Sequence, residues 1–336
     1  MVRVLVTGGA GFIGSNFVRY AVRTHEDWTV TTLDKLTYAG RLENLESLAD
    51  HPRHRFVQGD IADPAVAGPL VRDAEIVVNF AAETHVDRSI KHAGDFITTD
   101  VYGTFVLLEA ARENPGLRRF VQISTDEVYG SVAVGSSRET DELKPRNPYS
   151  ASKAGADRLA YSYWATYQVP VIITRASNNY GPNQFPEKII PLFITNLIDD
   201  IPVPLYGDGQ NERDWLHVED HCRGVDLLID KGVSGEVYNI GGGNQVKNVD
   251  LTHRILELVG KPTSLIKPVA DRPGHDRRYS LSTAKLEALG WEPQERFESG
   301  LAATVRWYRE HEGWWRPIKD QDPAFRKYYQ EQYGNR

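Results

Sequence analysis

A chain of 336 residues is long enough for two lobes, and its 40% apolar and 25% charged residues are ordinary for a soluble globular protein. The net charge of −7 argues against non-specific nucleic-acid binding, which needs a basic surface, although a few local arginines still suit an anionic substrate. A single cysteine, Cys222, excludes an intrachain disulfide, fits a reducing compartment and reads as a small buried apolar side chain.

The opening apolar run Val4–Val6 ends at Gly8, too short for the core of a secretion signal, and no apolar stretch nears the roughly 18 residues of a membrane span. The expectation is a cytoplasmic protein with no membrane partner, no nucleic-acid partner and no metal. In chain order, Val2–Val6, Thr29–Leu33, Arg55–Val57, Ile76–Phe80 and Phe120–Ile123 read as strands, several of them apolar throughout as buried parallel strands are. Ile13–Arg23, Val66–Arg72 and Ile97–Arg112 carry apolar residues at helical spacing between them. The alternation predicts an α/β protein with a Rossmann-type doubly wound parallel sheet.

Past residue 130 the texture changes. Residues 131–148 are polar and rich in turn formers, as a loop near a site would be. A helix over Tyr149–Gln168 and a strand at Val171–Thr174 follow, the latter expected to return to the first sheet. Frequent glycines and prolines from Asn178 onward, with short helices at His221–Lys231, Val249–Val259 and Leu301–His311, suggest a smaller, irregular lobe. The predicted division is residues 1–177 for a nucleotide-binding domain carrying the chemistry and 178–336 mainly for substrate, with some segments returning to the first domain.

Thr7-Gly8-Gly9-Ala10-Gly11-Phe12-Ile13-Gly14 follows the first strand and opens the first helix. Gly8 permits the tight turn, Gly11 lets the backbone approach a pyrophosphate, and Gly14 lets helix and strand pack closely. The helix N-terminus then favours a phosphate. Asp34 ends the second strand, where a carboxylate accepts from both adenosine ribose hydroxyls and repels the extra phosphate of NADP. Asp60-Ile61 can bracket the adenine, and the small Ala81 and Ala82 let a cofactor lie against the backbone. Together these features call for NAD.

Tyr149 and Lys153 stand four apart at a helix start, on one face. An ammonium beside a phenol, with a nicotinamide cation close by, is expected to lower the phenol pKa from about 10 towards neutrality. Such a tyrosinate takes a hydroxyl proton as hydride leaves the same carbon.

Glycine motif, Asp34, Tyr149 and Lys153 resemble the extended short-chain dehydrogenases/reductases that act on nucleotide sugars. Within them the likeness is to the dTDP-glucose 4,6-dehydratase family and runs along nearly the whole chain. The stretches that carry it are Leu33–Gly40, Ala81–Ser89, Ser124–Gly130, Asn178–Pro182 and Asp271–Asp276. The resemblance implies that Phe12, Ile13, Lys35, Leu36, Thr37, Phe80, Thr84, Thr99 and Asn179 complete the NAD site. It also implies that Thr84, Asn178, Lys188, Ile189, Pro204, Tyr206, Arg213, Asn248, Arg272 and His275 hold a nucleotide sugar, dTDP-glucose. Arginine forks suit a diphosphate. A homodimer through Ile97–Arg112 and Tyr149–Gln168 is implied as well. Where many relatives carry asparagine this chain has Asp100, which cannot donate an amide hydrogen bond.

Thr125-Asp126-Glu127 follows the fifth strand, at the edge where open α/β sheets bind ligands. Two adjacent acids in a buried site separate into an acid and a base; on pattern alone, a solvated acidic loop fits equally. The resemblance makes Asp126 the acid at the sugar C6 hydroxyl, Glu127 the base at C5, and Thr125 a hydrogen-bond partner of the C4 oxygen. The implied reaction oxidises C4, removes water across C5 and C6, and returns hydride to C6. A UDP-glucose dehydratase, a nucleotide-sugar 4-epimerase or decarboxylase of the same fold, and a non-catalytic NAD-binding scaffold are the alternatives. An epimerase gives the acidic pair no work to do. Trp314-Trp315 reads as packing.

Overall fold

The computed structural model describes residues 1–271 and 274–334. β1 (Val2–Thr7), α1 (Phe12–Thr24), β2 (Trp28–Asp34), β3 (His54–Gln58), α2 (Pro64–Asp73) and β4 (Ile76–Asn79) alternate as the periodicity predicts. After two short helices, α3 (Val86–Lys91) and α4 (Ala93–Phe96), a π-helical segment, Ile97–Gly103, runs into α5 (Thr104–Arg112). β5 (Arg119–Thr125), α6 (Pro148–Tyr167) and β6 (Val171–Ala176) complete this half. Then come β7 (Asn178–Tyr180), α7 (Ile189–Ile198), β8 (Val203–Tyr206), β9 (Glu212–His217), α8 (Val218–Lys231) and β10 (Val237–Ile240). The chain finishes through β11 (Gln245–Lys247), α9 (Asn248–Val259), β12 (Ile266–Val269) and the helices α10 (Ala284–Glu287), α11 (Phe297–Glu310), α12 (Glu312–Gln321) and α13 (Pro323–Tyr333).

Seven strands pair in the order β10-β6-β5-β4-β1-β2-β3, all parallel. The apolar runs are buried on both faces because successive side chains point to opposite cores. Val4 and Val6 of β1 pack with Phe17 of α1 and Val225 of α8, whereas Leu5 between them packs with Leu107 of α5 and Ala160 of α6. Reversal of strand order between β1 and β4 opens a crevice at their carboxyl ends, where doubly wound sheets bind ligands. β10 belongs to this sheet although it lies in the second half of the sequence.

A further core joins α7, α9, α11 and α12 through Phe193, Leu251, Leu301 and Trp315. Trp315 is fully buried, with its indole N–H donating to the Tyr308 carbonyl at 2.7 Å, and Cys222 is buried in the first core. The expected helix Ile97–Arg112 differs from the structure in its first half. There the backbone widens into the π segment, with Asp100 buried inside it.

Candidate active site

The glycine turn is shaped by contacts that no larger residue can make. Gly8 takes a left-handed φ of 67°, and a Cβ there would sit 2.6 Å from the Ala81 nitrogen; one on Gly14 would sit 2.2 Å from the Gly8 carbonyl oxygen. Gly11 caps α1 with no side-chain hydrogen bond, and the first turn has no acidic residue, so its N–H groups suit an anion. Asp34 adds a brace that the sequence did not reveal. Its two carboxylate oxygens accept from the Ala10 and Leu36 N–H groups at 2.9 and 2.8 Å, tying the turn to the end of β2.

A cavity of about 290 Å³ runs from this turn to the end of β5. Gly8, Gly11, Phe12, Ile13, Gly14, Asp34, Lys35, Thr37, Asp60, Ile61, Phe80, Ala81, Ala82, Thr84, Thr99 and Asn179 line it, as do Thr125, Asp126, Glu127, Tyr149, Lys153, Asn178 and Lys188. Lys35 and Asp60 pair at 2.6 Å on its wall.

Thr125 ends β5 and caps the turn Asp126–Tyr129: its hydroxyl accepts from the Glu127 N–H at 3.3 Å and donates to Asp126 Oδ1 at 3.1 Å. Among the described residues, Asp126 Oδ2 is buried without a hydrogen-bond partner. Burial, then the neighbouring Glu127, push the Asp126 carboxyl well above the usual range. Glu127 is held more loosely, with Asn147 Nδ2 at 3.5 Å and the Tyr279 hydroxyl at 3.4 Å from Oε2. Asn147 also starts α6 by a reciprocal cap with Ser150, which puts Tyr149 in the first turn and Lys153 one turn later. Lys153 is buried and its ammonium donates to the Ile123 carbonyl at 2.7 Å.

A family model described as GDP-mannose 4,6 dehydratase matches residues 5–304. The dTDP-glucose 4,6-dehydratase of Streptomyces antibioticus is 53% identical over 322 residues, spanning 94% of this chain and 95% of that protein. This chain belongs to the 4,6-dehydratase family. The low-salt glycan biosynthesis protein Agl12 of Haloferax volcanii is 54% identical over 305 residues, 91% of this chain and 98% of its own length. Among solved structures, DesIV, a dTDP-glucose 4,6-dehydratase from Streptomyces venezuelae with NAD and dTDP bound, superposes with a TM-score of 0.92. It is 52% identical, covering 95% of this chain and 100% of that one.

Several residues expected in the site make other contacts or stand outside this cavity. Leu36 has a left-handed φ of 56° and packs its side chain on the first core, leaving only its N–H to Asp34. Asn179 spends its amide on the Ser177 carbonyl and the His221 ring, at 2.9 and 3.0 Å. Ile189, Pro204, Tyr206, Arg213, Asn248 and His275 stand outside this cavity. Arg213 stacks 4.3 Å over the ring of Tyr279, whose hydroxyl lies 3.4 Å from Glu127, so it reaches the turn after β5 through that ring. Tyr206 accepts from Gln332 at 2.6 Å and lies edge-on to His275 at 6.1 Å. Arg272 lies outside the described residues. Among those described, no group of three or more His, Cys, Asp or Glu is placed to hold a metal.

The phenol of Tyr149 has neighbours that spacing alone does not show. Burial raises its pKa well above 10, followed by Glu127 and Asp100, while the Thr125 hydroxyl opposes them. Burial also lowers the Lys153 ammonium, against Asp100 and Asp157. Burial first, and then the carboxylates that face the same ring, hold the proton on the phenol. The sequence reading missed Tyr279 and Asn147 beside Glu127. It also missed Tyr38 and Glu187, cavity residues joined through Arg88, which stacks 3.8 Å over the Tyr38 ring and pairs with Glu187 at 3.1 Å.

Proposed function

We propose that this chain is an NAD-dependent hydro-lyase that converts dTDP-glucose to dTDP-4-keto-6-deoxyglucose. One observation carries the reading: Asp126 presents a buried carboxyl oxygen, unpartnered among the described residues and with raised proton affinity, beside the looser Glu127, in one cavity with Tyr149 and the glycine turn. Adjacent acids with different environments divide into donor and base. Oxidation at C4 and epimerisation need only the tyrosine; elimination needs both acids.

The chain's groups fit NAD. The uncapped N-terminus of α1 suits its pyrophosphate, Asp34 its adenosine ribose, and the cavity floor at Ala81 and Ala82 admits a flat ring. When bound, NAD accepts hydride from C4 and returns it to C6, and its positive ring offsets the carboxylates that hold the Tyr149 proton. Tyr149 removes the C4 hydroxyl proton, Lys153 supports the resulting phenolate, and Thr125 hydrogen-bonds the C4 oxygen. Glu127 takes the C5 proton, which the new ketone has acidified. Asp126 protonates the departing C6 hydroxyl, which leaves as water. Glu127 then returns a proton to C5. The sum is loss of one water with no net redox change.

Thr84, Asn178, Lys188, Ile189, Pro204, Tyr206, Arg213, Asn248, Arg272 and His275 are proposed to hold the nucleotide sugar, with residues 178–336 as mainly its lobe and 1–177 as the cofactor and catalytic domain. A homodimer is proposed through the outer faces of α5 with its π segment and of α6. Ile97 is 54% exposed there, Tyr102 48% and Tyr167 48%, an apolar surface that pairing would cover. No helix among the described residues is long and apolar enough to cross a membrane. Cytoplasmic residence is proposed from the single buried cysteine, which suits a reducing compartment. Incubation with dTDP-glucose and UDP-glucose, followed by mass spectrometry, tests the substrate. Loss of one water from dTDP-glucose supports the proposal; conversion of UDP-glucose alone removes dTDP, and a product of unchanged mass removes dehydration.

A further inference from the structure

Asp100 is the buried charge that this scheme leaves without a task. It sits inside the π segment and is only 1% exposed. One carboxylate oxygen accepts from the Glu83 N–H at 2.8 Å and the other from Ser152 Oγ at 2.6 Å. Glu83 belongs to the loop after β4 that lines the cavity, and Ser152 immediately precedes Lys153. The same side chain therefore ties the cofactor loop to the helix carrying the base. Ser152 Oγ also lies 2.8 Å from the Tyr149 carbonyl. A hydroxyl has one proton, so an anion at position 100 draws it away from that carbonyl.

The titratable groups facing Asp100 are Lys153 and Tyr149 on α6 and Glu83 on the cavity loop. Toward Lys153 it is the counter-charge that opposes desolvation of the ammonium. Toward Tyr149 it is a like charge that opposes formation of the phenolate. Both effects move proton affinity upward.

We propose that Asp100 is a positioning residue of the proton-transfer pair, its carboxylate fixing the first turn of α6 against the cofactor loop and its charge setting the pH window in which Tyr149 and Lys153 work. The proposal rests on the reading of Tyr149 as the base. Burial raises the Asp100 carboxyl to about 6, against the pull of Lys153, so the anion is present at neutral pH and above. Most neutral replacements would leave the Glu83 N–H without a partner and Ser152 with only the Tyr149 carbonyl. Asparagine fits both bonds: its carbonyl accepts from Glu83, and its amide donates to Ser152, which turns its proton to the Tyr149 carbonyl.

The test is the pH profile of kcat for dehydration by wild type, Asp100→Asn and Asp100→Ala, with Tyr149→Phe as control. In Asp100→Asn both limbs of the profile should move to lower pH by roughly 0.5–1 unit, while KM for dTDP-glucose changes less than about twofold. Asp100→Ala should show the same displacement on a lower plateau, because two hydrogen bonds go with the charge. Thermal midpoints give a second readout independent of turnover. A carboxyl raised above its unfolded value stabilises fully below the ordinary 3.8 and loses that contribution as pH rises through about 6. The midpoint of Asp100→Asn relative to wild type should therefore climb between pH 4 and pH 8. Unmoved limbs in Asp100→Asn, with Tyr149→Phe inactive, overturn the proposal alone, and so does a midpoint difference independent of pH. Failure of both Asp100 variants to fold also overturns it, since the carboxylate is then purely structural. Near-wild-type turnover in Tyr149→Phe removes the base assignment itself.

Discussion

Replacing Glu127 by glutamine separates the two halves of the reaction. The amide keeps the size of the side chain and can still meet Asn147 Nδ2 and the Tyr279 hydroxyl, now at 3.5 and 3.4 Å from Glu127 Oε2. What disappears is the base and its charge. After burial, Glu127 is the largest influence holding protons on both Asp126 and Tyr149, so both become more acidic in the variant. Oxidation at C4 therefore survives at neutral pH. Removal of the C5 proton loses general-base assistance, an effect of about 10²–10⁴-fold or about 3–5 kcal/mol on the barrier. Mixing the variant with dTDP-glucose in a stopped-flow instrument, with absorbance of the reduced nicotinamide and product release followed in parallel, reads both steps. Reduced cofactor should accumulate to nearly one equivalent per site while product formation falls about 10²–10⁴-fold. Product release within tenfold of wild type, without accumulation, would show that another group takes the C5 proton.

Asp126→Asn keeps the shape but not the transferable proton, so elimination should slow about 10²–10⁴-fold. Because burial and then Glu127 raise the proton affinity of Asp126, the wild-type rate should fall as rising pH removes that proton, and a pH series on the variant's residual rate should lack this fall. Tyr149→Phe should cut C4 oxidation about 10²–10⁴-fold with dTDP-glucose affinity nearly unchanged, measured by calorimetry. Gly14→Ala drives a methyl to 2.2 Å from the Gly8 carbonyl oxygen, so purified protein should lose its NAD; unchanged NAD content after acid release would contradict that geometry. Charging the exposed faces at Tyr102 and Tyr167 should yield monomers by light scattering if the proposed dimer uses them.

Local chemistry decided what could be read in advance. β1, β4, β5 and β6 are apolar runs with buried faces on both sides, and the glycine turn follows from spacing alone, so fold and nucleotide crevice were legible. Asp34 was legible as a ribose acceptor but not as the brace of Ala10, because a backbone N–H leaves no mark in the sequence. The π segment was read as ordinary helix since Ile97–Arg112 keeps apolar residues at helical spacing; only a buried bond network reveals the extra residue in the turn. Tyr279 lies more than 150 residues from Glu127, and no periodicity links them. The carboxylates around Tyr149 were not legible for a similar reason. Lys153 is a visible neighbour at helical spacing, whereas Glu127 and Asp100 arrive from other elements.

The central claim is elimination across C5 and C6 rather than inversion at C4. Wild-type protein incubated with dTDP-glucose in heavy water, and its product analysed by mass spectrometry and proton magnetic resonance, tests this most directly. Glu127 exchanges its proton with solvent, so the account predicts a 4-keto-6-deoxy sugar that has lost one water and carries deuterium at C5. A C4 epimer of unchanged mass with ordinary hydrogen at C5 would contradict it.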